Sequence, residues 1–422
     1  MIKSLKRSLK YRWVIFGILS LQYLLVYFHR VCPAVVAPEL VKAFSISGTS
    51  LGILASGYFY PYALMQLPVG LFSDSWGPRK TVTGFTLLAA AGAILFGLAP
   101  NFGLATFSRV LVGFGLSAVF VPTMKVFAEW FKPREYARIS GVLMAVGGIG
   151  WLTAATPLAL MTEGFGWRGT FIAIGCFTAL LSLLTWILVA DAPQKGVVSP
   201  VKGASSHNAE EIRVLTGIRM VLTNRHFWPL AIWFFFVGGI LFGFCGLWAG
   251  PYLMDIYLLS KASAGNILSM VAVGMIVGSP LLGYLSDKVL QSRKKVLVGA
   301  SSLLLLEWVF FSLFYQTLPI PLLYLFFFLL GVCAGAIVVI AFTATKELFP
   351  IGIAGTSVGT VNLFPFAGGA IYQPLIGYLM DVVGKEGDRY LPQGYEMTFF
   401  FLLLTSLVAF ISIFFVKERM GG

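Results

Sequence analysis

Gly70-Leu71-Phe72-Ser73-Asp74, followed by the basic pair Arg79-Lys80, recurs 213 residues later as Gly283-Tyr284-Leu285-Ser286-Asp287, followed by Arg293-Lys294-Lys295. Nearly the same offset returns Ala37-Pro38-Glu39-Leu40 as Gly250-Pro251-Tyr252-Leu253. It also returns Gly113, Ala118, Glu129 and Phe131 as Gly331, Ala336, Glu347 and Phe349. Three matches in one order make the chain two related halves. The residues around them decide what the halves are made of.

Of 422 residues, 58% are hydrophobic and only 11% charged, with a mean hydropathy of +0.88. A soluble domain is about a quarter charged. A membrane-crossing helix needs about 20 apolar residues, so twelve would use about 240, close to the apolar content of this chain. Apolar runs fall at about 13–36, 49–72, 80–98, 103–128, 137–160 and 168–190, then at 227–252, 262–285, 295–315, 319–345, 354–380 and 395–416. The expected fold class is an all-α membrane protein of twelve transmembrane helices in two pseudo-symmetric six-helix bundles, residues 1–190 and 227–422. Residues 191–226 form a polar linker with room for one amphipathic turn.

A net charge of +13 raises nucleic acid as a partner, but its distribution argues against one. Twenty-two of the 30 Lys and Arg residues fall on one side if the termini and even-to-odd loops share that side. Five fall opposite: Lys42, Arg168, Lys261, Lys385 and Arg389. The positive-inside rule then puts both termini in the cytoplasm and requires an even number of spans. The basic segment Met1–Arg12 runs into the first apolar stretch without a small-residue cleavage site, as in a retained helix. A multi-pass protein of a bacterial inner membrane is expected, monomeric in its lipid bilayer. Cys32, Cys176, Cys245 and Cys333 lie in apolar runs, with neither disulfide nor metal-ligand spacing, so no metal or cofactor is expected. Gly113-x-Gly115 and Gly147-Gly148-Ile149-Gly150 lie mid-span with no preceding strand, so they are not nucleotide loops. With three histidines and no recognisable nucleophile–base spacing, an enzyme is not expected.

Charges inside the spans carry the chemistry. A guanidinium in hydrocarbon costs several kcal/mol and is retained for a task or a partner. Arg30 has the planar fork that suits a carboxylate or phosphate, and Tyr23 and Tyr27 share its helical face. Tyr62, Trp248, Asn362, Tyr372 and Gln373 are polar-tipped groups suited to complete a solute pocket. His29, a residue type that titrates near neutral pH in water, is a candidate for proton coupling. So are Glu307, the one carboxylate deep in an apolar run, and Arg109. Against this, a lone buried histidine is more often a packing residue, and His29 and Arg30 diverge by about 100° around a helix. Asp74, Arg79, Lys125, Glu129, Asp287 and Arg293 read as gating latches at the span ends, with Lys125 and Glu129 spaced for an i,i+4 pair.

These motifs resemble the major facilitator superfamily. The likeness is carried by Gly70, Asp74, Gly77, Arg79 and Lys80 between spans 2 and 3, their partial copy between spans 8 and 9, and Arg109, Gly113 and Gly115 in span 4. It implies a twelve-helix rocker working by alternating access around a central cavity. Tyr27-Phe28-His29-Arg30 and Pro122 to Phe131 resemble the anion:cation symporter and organophosphate branches. His29 stands where the symporters have aspartate, and the span 7 position matching Arg30 is Gly243, so a second arginine is missing. The function expected is secondary transport of a small organic anion, of carboxylate or sugar-acid type, with a proton as the coupled partner. The alternative is export of amphipathic drugs or siderophores.

Overall fold

In the computed structural model, residues 10–193, 214–336 and 340–418 are described. Among them, helices fall into twelve stretches, called spans 1–12 here: residues 11–44, 48–75, 78–98, 102–130, 133–165, 167–188, 228–255, 261–289, 293–314, 320–336 with 342–347, 354–383 and 392–414. Eight are long and apolar enough to cross a bilayer by length and composition, among them Tyr11–Val31, Pro78–Leu98, Thr156–Leu188 and Trp228–Asp255. The only strands among the described residues are the two-residue pair Lys385–Glu386 and Arg389–Tyr390, an antiparallel turn between spans 11 and 12. The protein is an all-α membrane protein. The expected linker contains a helix, Val214–Thr223, longer than the single turn anticipated. The central part of that linker lies outside the described residues.

Span 1 runs through Tyr11–Val31 and Pro33–Phe44 with a break at Cys32. Pro33 has no amide hydrogen, so the carbonyl of His29, four residues earlier, loses its helical donor. Arg109 in span 4 supplies a replacement: its Nη2 donates to the His29 carbonyl at 2.9 Å. The guanidinium carbon also lies 5.3 Å from the Tyr58 ring centroid. The Arg109 side chain is fully buried there. Spans 5 and 6 are separated at Gly166, whose φ of +68° ends the first helix.

The repeat is visible at the span ends. Gly77 (φ +85°) turns the chain into span 3, and Asp191, at the end of span 6, accepts from the Arg79 backbone N–H at 2.6 Å. A Cβ at Gly77 would lie 2.8 Å from the Asp191 carboxylate. In the second half Gln291 takes the positive φ (+46°), and Glu418, at the end of span 12, accepts from Ser292 Oγ at 2.9 Å and the Lys294 N–H at 3.4 Å. In each half a carboxylate from the last span thus meets the positive end of the third span's dipole.

We call the face carrying Tyr11, Asp191 and the span 2–3 loop the terminal face. At the opposite face the halves are sealed together. Span 2 lies against span 11 with little side chain between them: a Cβ on Gly377 would collide with the Gly48 carbonyl, and one on Gly52 with the backbone of Gln373 and Pro374. Asp381 in span 11 accepts from the Gly48 and Thr49 N–H groups, each at 2.7 Å, and from Thr49 Oγ1 at 2.6 Å. It thereby caps the first turn of span 2 across the halves. Lys261 of span 8 pairs with Glu39 of span 1 and donates to Thr162 Oγ1 at 3.2 Å.

Two outcomes follow. Arg109→Ala strands a buried carbonyl and lowers stability by about 2 kcal/mol, seen as a reduced unfolding midpoint of the solubilised protein. An unchanged midpoint means the proline break needs no donor. Asp381→Ala removes the cap that joins spans 2 and 11, so spin labels at positions 42 and 258 should report a distance distribution shifted to longer values. An unshifted distribution means the seal lies elsewhere.

Candidate functional site

Between the halves lies a cavity of about 720 Å³. It reaches Asp74 at the terminal face, whose side chain is 71% exposed, and ends at Arg30 deep among the spans. With the opposite face sealed by these contacts, the cavity opens on the terminal side.

Arg30 sits where the break at Cys32 leaves the last turn of Tyr11–Val31 facing the cavity. It is 4% exposed, yet among the described residues no carboxylate pairs with it. Its Nη2 donates to Tyr62 Oη at 2.6 Å, and its Nε has no protein partner. Four rings surround the guanidinium carbon: Tyr27 at 4.4 Å, Tyr62 at 4.8 Å, Phe366 at 4.9 Å and Phe242 at 5.8 Å to the centroids. Two come from each half. Cation–π attraction offsets part of the desolvation cost of the charge, but a guanidinium has five donors and, of the surrounding rings, only Tyr62 accepts a hydrogen bond from it.

Tyr23 lines the wall beside Tyr27, with ring centroids 5.3 Å apart. Its hydroxyl donates to Met144 Sδ at 3.5 Å. Asn362 Nδ2 donates to Gln66 Oε1 at 2.8 Å, bridging spans 11 and 2 along the cavity wall. Gln66 Nε2 in turn donates to the Tyr62 carbonyl at 3.1 Å.

Three residues expected in the pocket lie outside its lining. Trp248 donates from Nε1 to the Gln373 carbonyl at 2.9 Å, and Gln373 Nε2 to the Phe242 carbonyl at 3.0 Å. Both side chains hold spans 7 and 11 together. Tyr372 packs over Gly239 and Gly243, with Phe401 at 4.9 Å. Gly239–Trp248 is π-helical, with more residues per turn than an α-helix. The faces of span 7 are therefore rotated from where α-periodicity puts them.

The groups considered for proton coupling are also off the cavity. His29 packs between Phe28 and Phe171, at 5.4 and 6.4 Å, with Nδ1 unpartnered. Arg109 holds the span 1 break. Glu307, 7% exposed, has both carboxylate oxygens without a hydrogen-bond partner and lies in span 9, away from Arg30.

At the terminal face Lys125 pairs with Asp74 at 2.6 Å rather than with Glu129, which is exposed. Arg79 lies over Trp186 at 4.9 Å. Arg293 pairs with Asp287 and reaches Glu347 at 3.4 Å. These pairs tie loops to span ends within one half. Of the contacts that cross between halves, those through Asp381, Glu39 and Lys261 were not singled out from the sequence. Among the cavity walls, Phe242 and Phe366 were missed as well. With 38 phenylalanines in the chain, composition cannot mark two.

Comparison with known proteins agrees with this architecture. The family model of the Major Facilitator Superfamily matches residues 19–257 and 244–421. The chain is 29% identical to the uncharacterized transporter YybO of Bacillus subtilis, covering 97% of this chain and 96% of that protein. It is 25% identical to the gentisate transporter of Corynebacterium glutamicum (82% and 76%) and 23% identical to the hexuronate transporter of Bacillus subtilis (87% and 88%). Among solved structures, a bacterial homolog of the human lysosomal transporter Spinster, inward-facing and unoccupied, superposes with a TM-score of 0.76 at 18% identity, covering 96% of this chain and 98% of that one. A chain matched along nearly its whole length in this way is a multi-pass transport protein rather than an enzyme, and it belongs to the Major Facilitator Superfamily.

Proposed function

We propose that the protein is a secondary transporter of a small organic anion and that Arg30 binds the anionic group. The observation that carries this reading is a buried guanidinium with no carboxylate partner at the end of a solvent-connected cavity. A carboxylate would supply the acceptors the site lacks, through charge-assisted hydrogen bonds. The relatives named as gentisate and hexuronate transporters move acids, which supports the same class of solute. One cation, with Gly243 at the matching position of span 7, favours a monoanion over a phosphate dianion.

Transport is by alternating access. The halves 1–190 and 227–422 rock about the central site, the seal at Asp381, Glu39 and Lys261 releasing as the terminal side closes. The terminal face is cytoplasmic, by the positive-inside rule, in a bacterial inner membrane. Protons drive the cycle, with His29 as the coupling group, next to Arg30 in the chain and tied through its carbonyl to Arg109.

Proteoliposome uptake of labelled monocarboxylates tests the first claim. Arg30→Ala should reduce anion uptake at least about a hundredfold, the range for a buried charge-assisted contact, and Arg30→Lys should restore little because an ammonium lacks the fork. Unchanged uptake in Arg30→Ala defeats the assignment. For coupling, an imposed proton gradient should accelerate uptake by the parent protein, and His29→Gln should lose that acceleration while retaining anion exchange. Equal acceleration in His29→Gln removes His29 from the coupling step.

A further inference from the structure

The walls around Arg30 restrict the body of the anion as well as its charge. We infer that the solute is a monocarboxylate with a flat, apolar, ring-sized body, of the benzoate type, rather than a polyhydroxylated sugar acid. This rests on the reading of Arg30 as the anion site.

The argument is an account of hydrogen-bonding capacity. A hexuronate brings several hydroxyls besides its carboxylate, each needing a partner once water is excluded. The neutral polar side chains that line the cavity near Arg30 are few, and most already hold one partner. Gln66 and Asn362 are bonded to one another, and Gln66 also to the Tyr62 carbonyl. Tyr23 is turned to Met144, and Tyr62 accepts from Arg30. Trp248 and Gln373 are spent between spans 7 and 11. Beyond the guanidinium itself, what is left for hydroxyls is the Tyr27 hydroxyl and the unused groups of the Gln66–Asn362 pair. Each one buried without a partner weakens binding by about tenfold.

The same walls suit an aromatic ring. Phe366 is near-parallel to Phe242, with interplanar angle 24° and centroids 5.5 Å apart, and edge-on to Tyr62 at 4.6 Å. A ring whose carboxylate reaches Arg30 would meet these faces in offset or edge-to-face geometry. Met124, Met144 and Met275 line the wider part of the cavity and adapt to irregular apolar bodies. Tyr62 and Phe366 belong to different halves and already touch edge to face, so a ring lying against this pair would contact both bundles.

Titration calorimetry of the purified full-length protein with benzoate, 4-hydroxybenzoate, butyrate and glucuronate tests this. Benzoate should bind at least about tenfold more tightly than glucuronate. Phe366→Leu, which keeps apolar volume but removes the π-face, should weaken benzoate several-fold more than butyrate. Glucuronate binding as well as benzoate, in an Arg30-dependent manner, overturns this inference while leaving the anion site intact. So does a Phe366→Leu variant that binds benzoate and butyrate in the parent ratio. If no carboxylate shows Arg30-dependent binding, the reading under Proposed function fails and this one falls with it.

Discussion

A positive charge that cannot leave, and that has no carboxylate partner among the described residues, organises the centre of this protein. Arg30 lies deep among the spans, enclosed by four aromatic rings and bonded to one tyrosine hydroxyl. Burying a cation costs several kcal/mol, and rings recover only part of that. The remaining donors make the site incomplete in itself, and on the proposed reading an incoming anion would complete it. The two rings from each half mean that satisfying Arg30 also brings the two bundles into register around one ligand.

The rest of the fold serves to keep that site at the end of a one-sided cavity. Span 1 carries Arg30 to the cavity on the face it shares with Tyr23 and Tyr27, and Arg109 supplies the donor that Pro33 removes just beyond it. Spans 2 and 11 close the far side because glycines let their backbones meet and because one carboxylate caps a helix across the halves. A short apolar approach and a handful of charge-assisted bonds form an interface that can separate, unlike the extensive ring packing inside the second half around Trp308, Phe311 and Phe399. A device with two states needs this contrast between rigid bodies and a releasable seam.

Much of this was legible in the sequence, for identifiable reasons. The repeated Gly-x-x-Ser-Asp and basic clusters exposed the two halves, and an arginine inside an apolar run stands out against hydrocarbon whatever its surroundings. Tyr23 and Tyr27 follow from Arg30 by helical spacing, and the structure places them on the same cavity wall. Trp248, Tyr372 and Gln373 did not follow, because the π-helical Gly239–Trp248 stretch rotates span 7 and because polar tips can be satisfied between helices as readily as in a cavity. Lys125 met Asp74 instead of Glu129 because the chain fold, not the spacing within one helix, decided the nearer carboxylate. Asp381, Asp191 and Glu418 act on backbone amides more than a hundred residues away. Capping at that range leaves no local pattern to read.

The central claim is that the guanidinium of Arg30, framed by rings from both halves, is where the solute's negative end rests. Its most direct test is a structure of the protein bound to an iodinated benzoate, located by the anomalous signal of iodine. The account predicts the iodine in the cavity beside Phe242 and Phe366, with the carboxylate on Arg30 Nε or Nη1. An iodine site outside this cavity, with Arg30 still bonded only to Tyr62, would contradict it.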